Sequence, residues 1–306
     1  MKKLLTLLVL ACASAACQPQ ATQTTAAPKE AIAKAQLASP TKTEPPLPVL
    51  FAAADTLTPP MHKLARQIDL SKLWQSDTKE RRKHPVLEGF FGPDHYRFVM
   101  VFSQATRDKV HPEVYHVSGK CHYRKNIRSF TGTLTLRRIE DADVFYSPSD
   151  DIFAAEYAAS LDPDSTNERL IRASAQLHIY SAWARLQLTE EATENSGKFE
   201  GEAVLNFYVN DKKRVGYASA PSLLDGEPAR GSGLLLRGIR RNRTTQQLKK
   251  FVVADDVFAA APDVYKDFGI GDRGYEINPK YAKLGWNEAW ANDEWWADSP
   301  KPSLNL

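Results

Sequence analysis

Between Tyr96 and Arg138 apolar and polar residues alternate with a period of two in three successive runs. This alternation limits the folds open to the chain more than any other feature. Tyr96, Phe98, Met100 and Phe102 form the first series. Tyr115, Val117, Gly119, Cys121 and Tyr123 form the second, and Phe130, Gly132, Leu134 and Leu136 the third. Side chains two apart share a face of a strand, so each run has one apolar side. Burial on one side suits an antiparallel sheet. The stretch from Tyr115 to Arg138 reads as two strands joined by a tight basic turn, Arg124-Lys125-Asn126-Ile127-Arg128. Its second half, Phe130-Thr131-Gly132-Thr133-Leu134, is echoed by Phe199-Glu200-Gly201-Glu202-Ala203, which predicts a sheet built from similar hairpins.

Further strands are expected at Ala184–Thr189, Phe199–Val209, Gly231–Gly238 and Lys250–Val253, with turns at Asn195-Ser196-Gly197 and Asn210–Lys213. Val144–Leu161 and Leu170–Leu188 fit either strand or helix, and Met61–Lys83 fits a short helix leading in. Seven or eight short strands with turn signals between them predict a mainly β fold, a barrel or a sandwich. Gly119, Gly132 and Gly201 sit inside strands, where glycine often marks a sharp bend at a barrel corner. The preferred expectation is therefore an antiparallel up-and-down, lipocalin-like barrel, with a β-sandwich as the alternative. From Asp255 the chain is loop-rich and aromatic, and this segment, 255–306, is expected to wrap the barrel and close one end.

The first residues carry a different signal. Lys2 and Lys3 precede an apolar run, Leu4–Ala13, too short for the ~20 residues that span a bilayer. Ser14-Ala15-Ala16-Cys17 follows and resembles the lipobox of bacterial lipoproteins. That resemblance implies cleavage before Cys17 and acylation of its sulfur and new amine. Gln18 after the cysteine resembles the outer-membrane sorting class. Ser14 departs from the usual aliphatic residue. Cys12, after Val9-Leu10-Ala11, and ordinary cleavage at Ala13-Ser14-Ala15, giving a secreted periplasmic protein, are the alternatives. Loss of Cys12 and acylation of Cys17 leave Cys121 alone, which excludes an internal disulfide. Residues 17–60, rich in Ala, Thr, Pro and Gln, read as a disordered tether. The expected organisation is a signal peptide at 1–16, a lipidated tether at 17–60 and a single domain at 61–306.

The formal charge is +3, from 40 basic and 37 acidic residues. Without Lys2 and Lys3 the balance is 38 against 37, which gives no global basic field for nucleic acid. Three motifs add a family resemblance: GKxxYxxNIxxFxGTLTL over 119–136, the strand around Gly201, and NPKYxxxGW over 278–286. They resemble uncharacterised bacterial lipoproteins with a calycin-like barrel domain. That resemblance implies a fold and an envelope location, and it brings no activity.

Each candidate site competes with a structural role. His84, His95, His111, His116 and His122 cluster in sequence. His116 and His122 share a strand face but lie about 20 Å apart along it at ~3.3 Å per residue, so they cannot share a metal. His95 and His111 from neighbouring loops could join a ligand set, although surface histidines explain the cluster as well. Cys121 shares the inward parity of Tyr115 and Val117 and reads as a buried thiol rather than a nucleophile. Asp150, Asp151, Glu156, Asp162 and Asp164 could serve a glycan or peptidoglycan hydrolase, or cap Asp-Pro and Ser-Pro turns. Arg237, Arg240 and Arg241, with Arg124, Lys125 and Arg128 at the hairpin tip, could contact an anionic ligand. Charged edge strands also carry such residues against aggregation. No GxSxG, HExxH, Walker loop or strand-to-helix GxGxxG is present, so neither catalysis nor a cofactor or metal is expected. The expected function is a non-enzymatic envelope lipoprotein, anchored through Cys17, whose barrel is structural or binds a partner or an apolar or anionic ligand. The envelope hydrolase is the alternative.

Overall fold

The computed structural model describes residues 56–76, 86–142, 178–210, 212–218, 228–260, 264, 267–270, 276–288 and 295–297, all within one compact unit, Pro45–Leu306. The residues read above as signal peptide and tether up to 55, Cys17 among them, and the carboxylates at 150–164 lie outside them.

Nine strands form one antiparallel sheet: β1 Leu87–Phe91, β2 Tyr96–Arg107, β3 Val114–Tyr123, β4 Asn126–Asp141, β5 His178–Glu190, β6 Gly197–Val209, β7 Val215–Tyr217, β8 Leu234–Asn242 and β9 Leu248–Ala254. From β1 to β6 each strand pairs with the next in sequence; β6 then pairs with β8 and β8 with β9. The β1–β9 pairing, Glu88–Phe91 against Phe251–Ala254, closes the sheet in a ring, and β7 lies beside the end of β6. The strands are longer than their alternation alone suggests. β4 runs for 16 residues, and the alanine-bearing stretch before Ala184 is strand from His178 onward. Long strands close a ring only by bending. Register shifts between Phe102 and Gln104 and between Leu136 and Arg138 mark two such places. Gly201 and Gly238 face each other across β6 and β8, and a Cβ on Gly201 would lie 2.1 Å from the Arg237 carbonyl oxygen. Only glycine permits so close an approach.

The inward parity read from the sequence holds. Phe98, Met100, Phe102, Tyr115, Val117, Cys121, Phe130, Leu134 and Leu136 are all buried in one core with Phe199, Leu205, Leu236, Phe251 and Val253. Phe98 stacks on Phe199 with centroids 5.8 Å apart, and Phe251 meets Phe199 edge-on at 5.3 Å. These rings fill the middle of the ring of strands.

Among the described residues, one end is closed by the N-terminal segment. Helices α1 Pro59–Gln67 and α2 Ser71–Trp74 bring Leu70, Leu73 and Trp74, each at most 1% exposed, onto the same core. Trp74 sits 6.2 Å from the Tyr115 ring, and the Leu70 amide donates to the Tyr115 hydroxyl at 3.3 Å. Arg107 at the end of β2 donates to the carbonyls of Ala65 and Ile68, which the end of α1 leaves unsatisfied. The described part of the C-terminal segment instead covers outward faces. Leu234-Leu235-Leu236, Val252-Val253 and Phe90-Phe91 are apolar on both sides of the sheet, so the outer side needs cover too. It is supplied by α3 Val257–Ala260, Phe268, Trp286 and Tyr281 of α4 Pro279–Ala282, packed on Phe90, Val204, Leu235 and Ala254. Trp295 covers Val99 and Val101 in the same way.

Candidate anion-binding site

At the other end of the ring the inward positions change character. Going up each strand, the series of apolar residues ends in a polar or charged one. Leu186 and Leu188 lead to Glu190 on β5, Leu234 and Leu236 lead past Gly238 to Arg240 on β8, and Val253 and Phe251 lead back to Lys249 on β9. Arg128 stands above Phe130 on β4, and Cys121 and Tyr123 end β3. These terminal side chains, with Asn126 and Asn242 at strand ends and Arg124, Asn195 and Gln247 from the turns, line a cavity of about 360 Å³ floored by Phe91 and Phe98.

Its inner part is an ion cluster. Glu190 has 3% of its side chain exposed. Arg240 Nη2 donates to Glu190 Oε2 at 2.5 Å and Nε at 3.2 Å, while Nη2 also reaches the Asn195 carbonyl at 2.5 Å. Arg128 Nη1 lies 3.5 Å from the same Oε2, and its Nη2 donates to the Glu194 carbonyl. Among the described residues Glu190 Oε1 accepts only the Cys121 thiol, at 3.7 Å. Burial pushes that thiol well above its usual range, and the Glu190 charge adds to the shift. Cys121 is therefore a protonated weak donor and not a thiolate nucleophile.

The outer part is cationic and aromatic. Lys249 Nζ lies 5.5 Å from the Phe91 centroid and 5.7 Å from that of Tyr123. The Arg124 guanidinium lies 4.9 Å from Tyr96 and 5.3 Å from Tyr123. Burial raises the Tyr123 hydroxyl above its usual range, so the ring between the two cations is neutral. Among the described residues neither Arg124 nor Lys249 ion-pairs with a carboxylate. Arg124 holds this place with a left-handed φ of 57° in the β3–β4 turn. Hairpin turns give that position to Gly, Asn or Asp, and a larger side chain there costs on the order of 1 kcal/mol. Four cations thus face one carboxylate.

The six basic residues singled out in the sequence separate. Arg124, Arg128 and Arg240 reach the cavity. Lys125 is exposed at the turn and does not line it. Arg237 and Arg241 have the opposite parity to Arg240: Arg237 pairs with Glu202 on the outer face, and Arg241 is buried there. Glu190 was missed as a site residue, although it sits at the end of an inward series, the signal that identifies it; Lys249, which follows the arginine cluster in sequence, ends such a series too. His84 lies outside the described residues, and the other four histidines do not converge. His95 lies in the β1–β2 turn and His111 beyond the far end of β2, while His116 pairs with Asp108 at 2.9 Å and His122 packs on Trp295. Among the described residues no three His, Cys, Asp or Glu side chains are placed to hold a metal ion.

No protein-family model, curated protein or solved structure matches the chain.

Proposed function

We propose that this chain is an envelope-tethered binding protein: a calycin-like, up-and-down barrel, anchored through acylated Cys17, whose open mouth holds a small anionic ligand. The observation that carries the binding reading is the convergence of Arg124, Arg128, Arg240 and Lys249 on one cavity opposite the single carboxylate of Glu190. Cations gathered at this density repel one another and are stabilised by an anion between them. The meander order and the β1–β9 closure support a barrel over a sandwich, because a sandwich leaves long edge strands, whereas every strand here except the short β7 pairs on both sides. The cavity is at the small end of the ~300–1,000 Å³ of ligand pockets, and the buried Phe98, Phe199 and Phe251 below it stand in the way of an apolar chain. A compact oxyanion fits these limits better than a lipid tail.

Calorimetric titration with phosphate, sulfate and citrate tests the reading. Saturable binding of at least one is expected. The double substitution Arg124→Ala, Lys249→Ala removes two rim cations and should weaken it by a factor of about ten or more, the equivalent of one charge-assisted hydrogen bond. An affinity indifferent to that double change sinks the assignment. The anchor has its own check: Cys17→Ala should move the protein from the membrane to the soluble fraction and abolish acyl labelling. Unchanged retention would remove lipidation from the proposal.

A further inference from the structure

Resting on that reading, we propose that the group taken by the mouth is a phosphate that carries a proton, selected over fully ionised oxyanions by Glu190. A carboxylate is an odd wall for an anion site, and its placement gives the reason. Oε2 of Glu190 is occupied by Arg240 and approached by Arg128. Among the described residues Oε1 has only the Cys121 thiol at 3.7 Å, a weak donor at a long distance. A buried carboxylate oxygen so poorly served is unfavourable until a stronger donor arrives. On the other side of the same cluster, Arg128 Nη1 is buried without a hydrogen bond. Both residues line the cavity, so its wall holds, side by side, an acceptor short of a donor and a cationic donor short of an acceptor.

A hydrogen phosphate, or a phosphate monoester in its singly protonated form, satisfies both. Its P–OH donates to Glu190 Oε1, and its remaining oxygens accept from Arg128, Arg124 and Lys249. Sulfate has nearly the same size and shape but no proton at neutral pH. It offers only lone pairs to Oε1, and like charges in contact in a partly buried site repel strongly. Sites built around a ligand O–H reject analogues lacking it, because their polar groups are left unpaired.

Parallel titrations of the wild-type protein with inorganic phosphate and sulfate at matched ionic strength test this without any variant. Phosphate should bind at least about tenfold more tightly, the equivalent of one hydrogen bond to a charged group. Glu190→Gln keeps the shape, removes the charge and adds an N–H. It should erase the preference by improving sulfate, with a melting curve confirming the fold. The source of the phosphate is read from two further arms. Glycerol phosphate reports a soluble monoester, and co-sedimentation with phosphatidylcholine vesicles, with and without phosphatidic acid, reports a lipid one; binding in either supports the proposal. Equal affinity for sulfate and phosphate, or a preference that survives Glu190→Gln, overturns the proton-based selection and leaves anion binding standing. Binding of sulfate or citrate but of no phosphate species overturns the proton-based selection alone, and binding of no anion overturns both.

Discussion

Arg240→Met is expected to destabilise the folded protein by about 3 kcal/mol, the lower end of the range for removing one partner of a buried ion pair. The substitution fills the space of the stem but leaves Glu190, 3% exposed, without its two closest charge-assisted hydrogen bonds. What remains is Arg128 at 3.5 Å and a thiol at 3.7 Å. The lower end applies because the pair borders a cavity from which water can reach the carboxylate. Urea unfolding should show a lower midpoint with an unchanged slope. Adding Glu190→Met should recover most of the loss, since a buried pair replaced on both sides by apolar groups of similar size is often neutral. If the double variant is as unstable as the single, the damage lies in the lost packing of the Arg240 guanidinium, 5.9 Å from the Phe199 ring centroid, and not in the orphaned charge. Either variant should lose phosphate binding, because both dismantle the inner cluster.

The second large effect is expected at the opposite end. Trp74→Ala should cost about 3–5 kcal/mol, the usual range for truncating a buried aromatic side chain. The indole is 1% exposed, packs on Tyr115 and, with Leu70 and Leu73, seals the ring where β2 ends and β3 begins. Anion affinity should not change. Tyr115 and Cys121 lie on the same strand face, six residues apart, or roughly 20 Å at ~3.3 Å per residue. Thermal melts paired with calorimetry separate the two quantities. A fall in affinity at a temperature where Trp74→Ala is still folded would mean that the ends of the ring are mechanically coupled, against this expectation.

The two substitutions sit on parts of the chain that differ in how readable they are. Cys121 points inward because it shares a period of two with Tyr115 and Val117, and the same rule separates Arg240 from Arg237 and Arg241. Applied to the end of each strand, it also singles out Glu190 after Leu186 and Leu188, and Lys249 before Phe251 and Val253. Grouping the arginines by nearness in sequence hid this. The plug was harder to read. Leu70, Leu73 and Trp74 have helical spacing, but spacing gives no destination. The aromatic richness of the C-terminal segment signals burial without saying against which surface. The outward faces of β1, β8 and β9 drew it because they are apolar on both sides.

What the sequence determined by itself is local: most of the strands, the face that side chains take along a clearly alternating run, and that Tyr115–Arg138 is a hairpin with a basic turn. Side-chain alternation is a property of extended backbone and needs no partner strand to be read. What only the tertiary structure decided is long-range. The β1–β9 pairing closes the ring, and closure places Arg124 of one turn, Arg128 and Glu190 of β4 and β5, Arg240 of β8 and Lys249 of β9 around one cavity. Their approach depends on the bends, registers and core volume of every strand between them, which no window of sequence contains.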